Sequence, residues 1–180
     1  MSSDESGAFA PRSLLCERAA PRANVRDGGE PAPTIVVYGF EDAVAALTAA
    51  ATAGQPVRLK SPFVVAASLG PQVAWSMFRQ ASAVVPEAVA TWVIDCGDET
   101  GLALAALRVG VPEVRADLPN EARVRVEDIA AQLGARVTSD AGPAPMLDLA
   151  DADDPLATCR EWLESLRSGP DPRREPHCQD

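Results

Sequence analysis

From about residue 34 to residue 168, short β-branched apolar runs alternate with longer alanine-rich stretches. A parallel sheet built from strand-helix units leaves this order in a sequence. Five runs read as strands: TIVVYG from Thr34, PVRLKS from Pro56, ATWVID from Ala90, EVRAD from Glu113 and RVTSD from Arg136. Helical periodicity begins near Glu41, Pro71, Asp98 and Asn120 in the intervals between them. Gly54, Gly110 and Gly134 each close a helical stretch two or three residues before a strand, where a left-handed residue ends a helix at little cost. The recurrence AATAGQPVRL, ALRVGVPEVRA and AAQLGARVTS implies a unit of ~25 to 30 residues, the length of a strand plus its crossover helix.

A last helix is marked by Asp154 as its cap, Pro155 in its first turn and an apolar stripe of Leu156, Cys159, Leu163 and Leu166, with Gly169 to end it. The PMLDL segment before it reads as a sixth short strand or as the connection that carries this helix back. These elements predict one α/β domain over 34–168 with a parallel sheet of five or six strands. The expected architecture is like half of a TIM barrel, with a flat, doubly wound, flavodoxin-like sheet as the alternative. A half barrel leaves strand edges and inward side chains to be covered, so the helix over 154–168 is expected to close the opening. Residues 1–33 and 169–180 are rich in Pro, Gly, Ser and charge and are expected to be a disordered leader and tail.

Composition narrows the function classes. A net charge of -10 and an isoelectric point near 4.6 would repel nucleic acid and anionic membranes. No apolar run is long enough to span a bilayer. Asp4 and Glu5 precede any arginine, and no continuous apolar segment follows them, which argues against a targeting peptide. Cys16, Cys96, Cys159 and Cys178 have neither zinc-ribbon nor disulfide-framework spacing. A cytoplasmic protein is the expectation. Its partners would be a small molecule or a partner enzyme, with a second copy of the chain as a further candidate.

In parallel α/β folds chemistry gathers where strands end and helices begin. The strand ends carry Ser61, Asp95, Cys96, Asp117 and Asp140. Carboxylates, a thiol and a hydroxyl on one edge would suit a divalent ion or a polar small molecule, although each residue alone is also an ordinary loop or cap residue. Alternation along the second strand sets Lys60 and Ser61 on opposite faces, and Ser61 is expected to point inward.

The stretch VIDCGDETGLALAALRVGV, with LKSPFVVAASLG before it, resembles the class II, metal-dependent aldolases over about residues 34 to 142. The resemblance implies Asp95 as the catalytic acid/base, Ser61 and Asp117 on the substrate-binding surface, and Cys96 and Asp140 as metal ligands, with zinc as the ion. The family's late-strand histidines have no counterpart, since His177 is the one histidine and lies in the tail. PFVVAAS stands where the family has a glycine-rich loop. The expectation is therefore a non-catalytic or accessory aldolase-like protein that needs no cofactor, with a divergent metal-dependent aldehyde-lyase as the alternative.

Overall fold

A computed structural model describes residues 32–139 and 144–168. They form a single all-parallel sheet of six strands with six helices, an open α/β sheet of the broad class that includes flavodoxin-like and Rossmann-like folds. The strands are β1 (Thr34–Val36), β2 (Val57–Ser61), β3 (Ala90–Asp95), β4 (Glu113–Arg115), β5 (Arg136–Thr138) and β6 (Met146–Asp148). The helices are α1 (Phe40–Ala53), α2 (Phe63–Leu69), α3 (Pro71–Val84), α4 (Thr100–Arg108), α5 (Asn120–Gln132) and α6 (Pro155–Ser168). The parallel sheet of repeated strand-helix units is thus as its sequence pattern predicts.

In space the strands run β5-β4-β3-β2-β1-β6. Through β5 this is the consecutive order of a half barrel. It departs at β6, which pairs with β1 through Ile35 and Leu147 rather than following β5. Four successive crossovers run in one direction, and crossovers of the usual right-handed sense then place their helices on one side of the sheet. Contacts agree: α6 lies beside α1, α1 beside α3, α3 beside α4, and α4 beside α5. The strand residues of the hydrophobic core also share one parity, as in Val57 and Leu59 on β2, Trp92 and Ile94 on β3, and Val114 on β4. Alternate strand residues therefore face a helix layer, and those between them face the other way.

Two features hold the layer to the sheet. Trp92 stacks on Phe78 of α3 with ring centroids 4.5 Å apart and planes 16° from parallel, and its indole N–H donates to Ser82 Oγ at 3.1 Å. Below the stack, alanines such as Ala43, Ala46, Ala74 and Ala103 are fully buried, which lets helices and sheet approach closely. Gly54 ends α1 at a φ of 62°, and its N–H bonds Ala51 O at 3.1 Å, so the first of the three recurring glycines does what its position predicts.

The last helix is capped as expected, with the Ala157 N–H donating to Asp154 Oδ1 at 3.0 Å. Its place differs from the expectation. Cys159 and Leu163 are buried against α1, so α6 extends the helix layer instead of closing an opening on the opposite side. An apolar stripe seeks the nearest apolar surface, and β6 beside β1 brings α6 to α1. The expected leader and tail lie outside the described residues.

Candidate functional site

Polar side chains meet on the face of the sheet turned away from the helices. Arg58 and Lys60 on β2, Asp95 on β3, Glu113 and Arg115 on β4, and Arg136 on β5 share the parity opposite to the core. They form two clusters. Near the amino ends, the Glu113 carboxylate, 4% exposed, pairs with Arg58 and, at 3.1 Å, with Arg136. At the carboxyl ends, Asp95 takes Lys60 Nζ on one oxygen at 2.8 Å and Arg115 on the other at 3.1 Å. Arg115 also reaches Asp117 at 2.5 Å.

The carboxyl-end cluster is held by the turn after β3. Gly97 donates its N–H to Asp95 Oδ1 at 3.0 Å and accepts the Asp117 N–H at 2.7 Å, while the Cys96 N–H reaches Arg115 O at 2.8 Å. Gly97 has a φ of 57°, and a Cβ there would come within 2.9 Å of the Phe63 ring. A side chain in this left-handed turn would be strained and would have to displace the Phe63 ring, which favors glycine here. Burial works to raise the pKa of Asp95, but the Lys60 hydrogen bond, the Gly97 amide, the Lys60 charge and the Arg115 hydrogen bond outweigh it. Asp95 is held below the usual carboxylate range and stays a fixed anion.

Such an anion fixes two cations side by side at adjacent strand ends. A lysine ammonium has three donors and a guanidinium five, so the bonds to Asp95 and Asp117 leave donor capacity at the carboxyl edge of β2 to β4. In open parallel sheets this edge is where small ligands bind. Across β2 to β5 the two clusters bring four basic side chains against three carboxylates, Asp95, Glu113 and Asp117, in a chain whose net charge is -10.

The residues singled out from the sequence do not assemble as one site. Asp95 is at the center of the cluster, and Asp117, 56% exposed, is at its rim. Ser61 points the other way from Lys60. It is buried in phase with Val57 and Leu59, its hydroxyl has no partner among the described residues, and so it is Lys60 that faces Asp95. Cys96 is in phase with Trp92 and Ile94 inside the core, its Sγ 3.9 Å from Ile94 O. Burial first, and then the Asp95 charge, push its thiol up to about 12. Adjacent on the chain, Asp95 and Cys96 thus face opposite sides of the sheet, which separates the expected acid/base from the expected ligand. Asp140 lies outside the described residues. No cluster of three or more His, Cys, Asp or Glu able to hold a metal ion occurs among the described residues.

Lys60 and the arginines Arg58, Arg115 and Arg136 are the site residues that the sequence reading missed. Their signal was parity: in VRLKS the apolar positions and Ser61 fall on one face and both cations on the other.

The fold and this cluster define an open parallel α/β protein with paired cations at its strand ends. No family model matches the chain. It is similar to the ATP-dependent dethiobiotin synthetase BioD of Ralstonia nicotianae, with 30% identity over 149 residues that take in 71% of this chain and 65% of that protein. The chain therefore spans less than two thirds of the length of this curated relative. The match corrects the resemblance to class II aldolases, and with it the aldolase-like accessory role, the aldehyde-lyase alternative and the zinc chemistry. The strand order and the buried Cys96 agree with that correction.

Proposed function

We propose that this protein binds a nucleotide through its phosphates at the carboxyl ends of β2 to β4, in a ligase-type reaction. The observation that carries the reading is the placement of Lys60 and Arg115 on the two oxygens of one ionised carboxylate at adjacent strand ends. Fixed, half-buried cations stabilise phosphate charge at little reorganisation cost. The relative's name supplies the nucleotide, ATP, and the class of reaction.

The mode of capture differs from the commonest one. A phosphate-binding P-loop has the pattern GxxxxGK[ST] between a strand and a helix. The chain's one lysine, Lys60, follows Leu59 inside β2, and no such pattern occurs in the 180 residues. Phosphate would be held by side-chain cations instead. Asp95 sets their positions, and Asp117 at the rim would restrain Arg115 until the ligand arrives. A reducing cytoplasm fits the two buried free thiols, Cys96 and Cys159.

Calorimetric titration with ATP tests this. Wild type is expected to bind, Lys60→Arg to keep most of the affinity, and Lys60→Met to lose roughly ten- to hundredfold, the worth of one charge-assisted hydrogen bond. Absence of ATP binding at millimolar concentration, or a Lys60→Met protein that binds as wild type does, would overturn the reading.

A further inference from the structure

The carboxyl edge of the sheet is divided by charge. From β2 to β4 it carries Lys60 and Arg115, paired on Asp95. On the other side of β2 it turns acidic: Asp148 ends β6, and Asp151, Asp153 and Asp154 line the same cleft. Tyr38, just past the end of β1, stands between the two.

Strand pairing puts it there. Val36 pairs with Lys60 on one side and with Asp148 on the other, and the pairing runs on, with the Val37 N–H donating to Lys60 O at 2.9 Å. Ile35 and Val37 belong to the core, so alternation turns Tyr38, like Val36, to the side of Lys60. Both ends of the residue are held. Its backbone N–H donates to Asp42 Oδ2 in the first turn of α1 at 2.9 Å, and its hydroxyl reaches Asp148 Oδ2 at 3.4 Å. The ring is half-buried, packed against the core and partly open at the strand ends.

We propose that Tyr38 is the platform on which the base of the nucleotide stacks, a role that rests on the nucleotide reading above. A nucleoside triphosphate is a polyanion at one end and an uncharged flat ring at the other. The cations of β2 to β4 suit the first. Around Tyr38 the carboxylates of Asp42 and Asp148 repel phosphate, which leaves the base as the part that this position accepts. Charge thus orients the ligand along the edge. Neighboring strands lie about 4.8 Å apart, so β1 is within reach of the base of an extended nucleotide whose phosphates lie on β2 to β4. A tyrosine offers the flat apolar face that stacking needs, and the contact with Asp148 sets the ring before the ligand arrives.

Calorimetric titrations with ATP and with inorganic tripolyphosphate separate base from phosphate. Tyr38→Leu is expected to weaken ATP binding roughly five- to hundredfold, the usual worth of one stacked base, and to leave the affinity for tripolyphosphate at its wild-type value. Tyr38→Phe keeps the ring and should restore most of the ATP affinity. A Tyr38→Leu protein that binds ATP as wild type does overturns the inference and leaves the phosphate site standing. Equal weakening of both ligands would make Tyr38 a support of the cations, and overturns it too. If wild type binds tripolyphosphate but not ATP, the base has no place here; if it binds neither, the nucleotide reading falls as well. The chain has one tyrosine, so a measurement on the wild type is unambiguous. With isotope-labelled tyrosine, cross-relaxation between the adenine and Tyr38 ring protons is expected in the saturated complex, and its absence contradicts the stack.

Discussion

At Asp95, desolvation opposes ionisation while Lys60, Arg115 and the Gly97 amide favor it, and the pairing prevails. A carboxyl group whose folded pKa lies below its ordinary value of 3.8 adds stability that is complete above that value and is lost as pH falls through the folded one. Asp95→Asn should therefore cost about 3 kcal/mol at neutral pH, the usual effect of depriving half-buried cations of their partner. In denaturant titrations the gap to wild type should narrow below pH 3.8. A gap that does not change with pH would show that the cost is not electrostatic. Asp95 was legible in the sequence as the residue ending an apolar strand. Its partner Lys60 was legible only through the phase of VRLKS, and the choice of Ser61 as the inward residue inverted that phase. Alternation says that neighbors differ in direction; the apolar Val57 and Leu59 say which direction is core.

Element by element, five strands and the glycine-closed helices were readable from local chemistry, because alternation, caps and left-handed glycines act over a few residues, while PMLDL read equally as a strand or a connection and is β6. α2 was not. PFVVAASL is short, apolar and β-branched, so its periodicity does not separate helix from strand, and tertiary contacts decide. Val65 and Ala66 bury against the sheet, and Gly70 then turns the chain into Pro71 at the start of α3. The position of α6 was likewise beyond local reading. Its stripe announces a partner without naming it, and the partner is α1. Leu163, fully buried, should cost about 2–5 kcal/mol when replaced by alanine, read as a lowered denaturation midpoint in one cooperative transition. Leu166→Ala, at a half-buried position, should cost much less. If Leu163→Ala leaves the midpoint unchanged, α6 does not belong to the folding unit.

For the molecule as a whole, two long-range properties separate this protein from what its segments suggest. One is strand order: β6 beside β1 cannot be read from any local pattern, and βα units with a strand-end aspartate and an alanine-rich helix recur in many folds. The likeness to aldolases rested on such units. The other is charge placement. A composition of 26 acidic and 16 basic residues gives an acidic chain, yet folding gathers Arg58, Lys60, Arg115 and Arg136 on the side of the sheet turned away from the described helices, so the average charge conceals a local cluster of cations. No helix among the described residues is long and apolar enough to cross a membrane. The central claim is that ATP sits at the carboxyl ends of β2 to β4, and amide chemical-shift mapping during an ATP titration addresses it most directly. The account predicts shifts concentrated at residues 61–63, 95–98 and 115–117. Shifts elsewhere with these residues silent, or no shifts at millimolar ATP, would contradict it.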